Sequence, residues 1–249
     1  MTAVTINCDM GEAFAIYKLG DDVACMPYVT HANIACGFHA SDPQVMWRTV
    51  RDARRHGIGI GAHPGFKDRE GFGRREIRMA RSDVAAMILY QVGALKAYCD
   101  VEGVALTHIK PHGALFGMAM KDEATANGIA DAAEAFDLPL IGFANCVQEE
   151  VYAARGIPFC CEFYADLDYD DRGWQIITME HDPVAPEAAA AKVLRAIEEG
   201  LTTSINGKDV AVRADSVCVH SDTPDAVAVA SAVHEALKSK LTDRLVQDR

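Results

Sequence analysis

The sequence predicts an α/β fold in which seven strands close into a (β/α) barrel, and three features carry that prediction. Short apolar or β-branched runs alternate with helical patterns, which implies a parallel sheet. Within most runs, successive residues separate into an apolar set and a set that carries polar groups. The polar residues also accumulate where the runs end. An open parallel sheet covered by helices should be apolar on both faces. A barrel with helices outside and a polar cavity inside accommodates the separation, and the carboxyl ends of its strands are where chemistry is housed.

The first run is Val4 to Glu12, where Ile6 and Cys8 oppose Asn7 and Asp9. The second, Ala32 to Pro43, sets Ile34, Cys36 and Phe38 against Asn33, Gly37 and His39. Asp42 and Pro43 then supply an N-cap and a first-turn proline, and Gly57 closes that helix. The third run, Gly57 to Pro64, sets Ile58, Ile60 and Ala62 against Gly59, Gly61 and His63. Ser82 reads as the cap of a helix that reaches Glu102 and closes at Gly103. In the fourth run, Leu106 to Gly113, Thr107 and Ile109 oppose His108, Lys110 and His112. Runs at 138–145, 159–166 and 216–222 supply the last three strands, and helical patterns cover 121–136, 147–155, 185–199 and 224–241. Asn206-Gly207 reads as a hairpin turn inserted before the seventh strand. With no linker or repeat, the expectation is one barrel domain over 1–249.

Bulk properties remove several function classes. A formal charge of -12 argues against a nucleic-acid binder, which needs clustered Lys and Arg. No apolar run is expected to span a membrane, and the first residues have neither a basic n-region nor an apolar h-region. The eight cysteines lack a C-x-x-C spacing, and most sit in or beside strand-like runs. They read as buried free thiols, which points to a reducing cytoplasm.

Five blocks resemble the LamB/YcsF family: Asn7 to Glu12, Ala32 to Ala40, Gly61 to Gly65, Gly71 to Arg75, and Lys110 to Leu115. The likeness runs in consistent order from about residue 5 to 240. The resemblance implies a TIM-like barrel related to glycoside hydrolases and deacetylases. It also implies an ATP-dependent hydrolase that works with 5-oxoprolinase subunits B and C, opening the lactam of 5-oxoproline to glutamate. The chain departs from the family pattern at His31, Ala13, Ala15, Ser41, Phe116-Gly117, Leu167 and Ser221. Glycine is usual at Ala13, Ala15, Ser41 and Ser221, and arginine at Leu167.

A lactam carbonyl is poorly electrophilic, so opening it needs activation of the oxygen, a delivered water, and a proton for the departing nitrogen. Asp9, Glu12, His39, His63, Lys110 and His112 offer such groups if they converge at the barrel mouth. Asp9 is expected to act as general base or charge anchor, and Lys110 to stabilise negative charge on the oxygen. A histidine is expected to move the proton. A lysine in a closed cavity needs a carboxylate beside it, such as Asp9 or Glu162. Asp42 reads as a cap, and His220 and Asp222 as either pocket wall or caps. His108 reads as a core histidine, while His56, His181 and His234 read as surface or helix residues.

Asp9, His39 and His63 are also candidate ligands for a divalent metal, since a carboxylate and imidazoles on strand ends suit one. No pairing such as H-E-x-x-H fixes two ligands on one element. No G-x-x-x-x-G-K-[ST] motif is present for ATP; the Gly200 to Asp209 stretch comes nearest. Arg74 and Arg75, in the basic stretch from Lys67 to Arg81, are candidates for binding a phosphate, a substrate carboxylate or a partner. Two alternatives stay open: a metal-dependent amidase or deacetylase acting alone, and a non-catalytic subunit that binds the lactam.

Overall fold

Strand residues alternate between a polar and an apolar side, and closing the sheet on itself satisfies both. The computed structural model describes residues 3–176 and 183–245, so His181 lies outside the described residues. Its elements in order are β1 (Thr5–Met10), α1 (Asp22–Cys25), β2 (His31–Ala35), α2 (Pro43–His56), β3 (Gly59–His63), α3 (Arg81–Glu102), β4 (Leu106–Ile109), α4 (Gly113–Ala119) and α5 (Glu123–Phe136). There follow β5 (Leu140–Gly142), α6 (Val147–Ala154), β6 (Phe159–Tyr164), α7 (Pro186–Glu199), β7 (Leu201–Thr203), β8 (Asp209–Ala211), β9 (Ser216–His220) and α8 (Ala226–Leu237). Strands β1 to β6 and β9 form a closed parallel barrel, the TIM-like architecture expected, with β7 and β8 as the antiparallel hairpin outside it.

Register aligns the inner ring. Asn7 pairs with His31, Asp9 with Asn33, Asn33 with Gly61, and Gly61 with His108. Inside, Asn33 Nδ2 donates to Asn7 Oδ1 at 2.7 Å and to Asp9 Oδ1 at 2.8 Å, while His108 Nε2 donates to Asn33 Oδ1 at 2.6 Å. Glycine is required at 61, because a Cβ there would overlap the His108 ring. Gly59 makes the same room for His31. Outside, Ile6, Ile34, Ile60, Ile109 and Val217 pack with Val50, Ile88, Leu95, Ile129 and Val229 of the helices. At the amino end of the strands, Val4 pairs with Leu241, and Leu245 joins Ile141 and Cys160 in a separate buried cluster.

Several expectations need correction. Strand β2 ends at Ala35, so His39 stands on the following loop rather than at a strand end. Asp42 does cap α2, its Oδ1 accepting from the Gln44 and Val45 amides. Helix α3 begins one residue before Ser82, and its cap position is Ala80 with no side-chain bond. The 121–136 helix begins at Glu123, with Asp122 as its cap, and the short α1 and α4 were not anticipated. By length and composition α3 could cross a membrane, contrary to expectation. It instead buries Val84, Ile88, Val92 and Leu95 in the barrel's outer layer. All eight cysteines are free and buried, as expected.

Candidate active site

Lys110 follows directly on β4 and projects into the barrel, with its side chain 2 % exposed. Its Nζ lies 2.9 Å from Asp9 Oδ1 on β1 and 2.7 Å from Glu162 Oε1 on β6. Asn7 Oδ1 at 3.3 Å and Cys218 Sγ at 3.2 Å complete its surroundings. An ammonium has three hydrogens to give, and these partners absorb them. Burial opposes the charge on Lys110, but Asp9, Cys218 and Glu162 reverse the effect and hold its pKa well above the ordinary lysine range. Burial would likewise raise the Asp9 carboxyl, yet His63 and Lys110 hold it well below its usual range. Asp9 is therefore a fixed carboxylate.

Three histidines from different segments meet beside it. His63 closes β3, with Nε2 3.3 Å from Asp9 Oδ2. His112 sits at the cap position of α4, with Nδ1 3.0 Å from His63 Nε2. His39 stacks on His112, with centroids 3.7 Å apart and planes at 2°. Glu12, from the loop after β1, brings Oε1 to 3.3 Å from His39 Nε2 and 3.6 Å from His112 Nδ1. Burial, with the charges on Asp9 and Asp222, pushes the Glu12 pKa well above the carboxylate range. Burial also pushes His39 and His112 well below the ordinary histidine range, reinforced by the neighbouring imidazoles. Gly73 is needed here, because φ is +64° and a Cβ would press on both His39 and His112.

A cavity of about 40 Å³ opens over these groups, lined by Asp9, Glu12, His63, Arg74, Lys110, His112, Tyr164, Leu167, His220 and Asp222. It is large enough for ordered water. The structure thus brings together all six candidates, with His39 behind the cavity wall rather than on it. It separates the two arginines. Arg74 lines the cavity, whereas Arg75 is held by Asp68 on the loop outside. Arg69 ties loops together through the Gly37 and Ser41 carbonyls. Leu167 gives the wall an apolar side chain.

His220, left open by the sequence, belongs to the cavity, and Asp222 lies beside it. His220 Nδ1 donates to Asp166 Oδ1 at 2.9 Å. Burial opposes its protonation, but Asp166 overcomes this and raises the pKa to about 9. Asp166 and Tyr164 were not singled out from sequence, and Asn7 and Asn33 were read only as polar strand residues. The alternation along β1, β2 and β6 could have found three of them, since each falls on the polar side of its run. His108 is a buried core histidine as expected. His56 is exposed, and His234 Nδ1 lies 3.1 Å from the Tyr28 carbonyl.

Among the described residues, two buried groups could hold a metal ion: Glu12, His39, His63 and His112, and separately Asp9, Cys218 and His220. Lys110 stands within the second, 2.9 Å from Asp9 and 3.2 Å from Cys218, and its charge disfavours another cation there.

The LamB/YcsF family model matches residues 4–245. The 5-oxoprolinase A subunit of Symbiobacterium thermophilum is 44% identical over 240 residues, covering 95% of this chain and 92% of that protein. Its counterpart in Syntrophobacter fumaroxidans is 42% identical over 242 residues, covering 94% of each. Among solved structures, a lactam utilization protein from Thermus thermophilus superposes with a TM-score of 0.89 at 41% identity, covering 98% of this chain and 100% of that one.

Proposed function

This chain belongs to the LamB/YcsF family, and from that membership and the charge arrangement at the barrel mouth we propose that it is the lactam-opening subunit of an ATP-dependent 5-oxoprolinase. The observation that carries the reading is the buried Glu162, Lys110 and Asp9 chain abutting the histidine cluster at a polar cavity. Lys110 acts through Asp9, keeping it ionised, because its hydrogens are already committed. Glu12, His63 and His112, backed by His39, hold the attacking water on one side of the carbonyl, and Asp9 takes its proton. His220 is cationic at neutral pH and gives its proton to the departing nitrogen from the other side. Arg74 receives the substrate carboxylate. The relatives are each named as one lettered subunit of an enzyme, which supports assembly with further subunits, here 5-oxoprolinase subunits B and C. ATP is taken at a partner or at a shared interface.

The test co-purifies the chain with candidate subunits B and C and follows glutamate and ADP from 5-oxoproline. Asp9→Asn and His220→Gln, checked as folded, should each lower kcat by roughly a hundredfold or more. Glutamate formed by this chain alone without ATP would overturn the reading, as would both variants turning over within about threefold of the parent.

A further inference from the structure

His63 and His112 face each other in a way that two neutral imidazoles do not tolerate. His63 Nδ1 lies 2.7 Å from the Lys110 carbonyl oxygen, which can only accept, so that nitrogen carries the ring hydrogen. His112 Nε2 lies 2.7 Å from the Phe72 carbonyl oxygen, so its hydrogen is placed there for the same reason. In the neutral rings the two remaining nitrogens, His63 Nε2 and His112 Nδ1, are both bare lone pairs, and they stand 3.0 Å apart. Carboxyl oxygens crowd the same point: Asp9 Oδ2 is 3.3 Å from His63 Nε2, and Glu12 Oε1 is 3.6 Å from His112 Nδ1. Acceptors converge on a space that wants positive charge.

A second observation points the same way. Among the described residues, Glu12 Oε1 and both ring nitrogens of His39 are buried without a hydrogen-bond partner, although His39 Nε2 and Glu12 Oε1 are 3.3 Å apart. Orphaned buried polar atoms are costly and call for an explanation. A single proton shared by His63 and His112 would leave these atoms unpaired. One cation in contact with all four side chains would satisfy Glu12 Oε1 and His39 Nε2 together.

We propose that Glu12, His39, His63 and His112 bind one zinc ion. This deepens the lactam-opening reading and rests on it for the ion's use, but the binding itself is separable. Imidazole and carboxylate donors suit zinc, and a tetrahedron with bonds of about 2.0–2.1 Å has donors about 3.3 Å apart. Three of the six separations between donor atoms are 3.0 Å, 3.3 Å and 3.6 Å, and all four atoms lie within 4.8 Å of one another. The backbone carbonyls of Lys110 and Phe72 supply the outer hydrogen bonds that fix the tautomer of a metal-binding histidine. Four protein donors fill a tetrahedron, so a bound ion would polarise water or a carbonyl oxygen only by expanding to a fifth position. The chain's own contribution is to present four donors from four separate segments around one point, with Asp9 as a further negative charge beside His63 Nε2.

The experiment loads the purified full chain with Zn²⁺, removes excess by gel filtration, and measures metal per chain by elemental analysis. Replacement by Co²⁺ then reports coordination through visible absorption. Wild type should retain roughly one equivalent and show the intense bands of four-coordinate cobalt. A chelator should lower its Tm. Glu12→Gln and His63→Gln, each verified by a cooperative melt, should lose retention and bands, whereas Arg75→Gln should keep both. A folded wild type that retains no stoichiometric zinc overturns the proposal, and so does unchanged retention in both ligand variants. If that happens while the assembled enzyme still makes glutamate from 5-oxoproline, only the metal is lost. Zinc retained without glutamate formation instead overturns the function and leaves the site.

Discussion

Glu162 Oε1 lies 2.7 Å from Lys110 Nζ, with both side chains sealed from solvent. Since Asp9 approaches the same ammonium from β1, one cation compensates two buried carboxylates. Such a group is weak evidence of net stability but dangerous to dismantle, because removing one partner strands the others. Lys110→Met should therefore cost about 3–5 kcal/mol in urea unfolding. Adding Glu162→Gln should return part of that loss, with coupling of roughly 1 kcal/mol or more. Strict additivity of the two changes would show that the two side chains do not interact.

His220 and Asp166 set a pH dependence. The folded histidine titrates at about 9 against 6.5 for an ordinary one, because Asp166 outweighs the opposing effect of burial. Its stabilisation is complete below about pH 6.5 and disappears as the pH rises through about 9. Lys192 titrates in an overlapping window with the opposite sign, since burial lowers it to about 8 and the penalty is relieved as the pH climbs. Comparing wild type with His220→Gln isolates the histidine. The stability difference should shrink by on the order of 2–3 kcal/mol between pH 6 and pH 9.5. A difference independent of pH would contradict the ion pair.

Ala15 and Ser41 occupy left-handed backbone, at φ 51° and 71°. L-residues there give up about 1–2 kcal/mol, and glycine gives back part of the gain through the flexibility of the unfolded chain. Ala15→Gly and Ser41→Gly should each stabilise by about 0.5–1 kcal/mol. Ala13, which is not among the positive-φ residues, should gain nothing from the same change. Melting curves for the three variants distinguish backbone strain from a general tolerance of the loop.

Two glycines should respond oppositely to alanine. At Gly61 a Cβ meets the His108 ring, which Asn33 and Thr107 hold in place. Gly61→Ala should cost about 1–3 kcal/mol through overpacking. Gly93, inside α3, has nothing within 4 Å of its Cβ position. Gly93→Ala should stabilise by up to about 1 kcal/mol, from helix propensity. Equal effects at the two sites would mean that the barrel interior relaxes around the added methyl group.

The alternation of Asn7 and Asp9 with Ile6 and Cys8 made the barrel legible, because a closed sheet has one wet side and one dry side on every strand. Lys110 was legible as well, since an ammonium within an apolar run demands compensation. Asp166 was not, because a carboxylate at a strand end looks alike whether it binds a histidine or solvent. The loop position of His39 was also hidden: its run continues the alternation past Ala35, where strand pairing has stopped. The facing lone pairs of His63 and His112 depend on two carbonyls, at Lys110 and Phe72, that no side-chain pattern announces.

The cavity over Asp9 opens among the loops at the carboxyl ends of the strands, while Val4 pairs with Leu241 at their amino ends and Leu245 packs with Ile141 and Cys160. On the proposed reading, the ring-opened product and the next substrate share that doorway. A partner that docks across that doorway to deliver an activating group would also hold the product in. On that reading, undocking at the mouth is as much a part of each turnover as the chemical step.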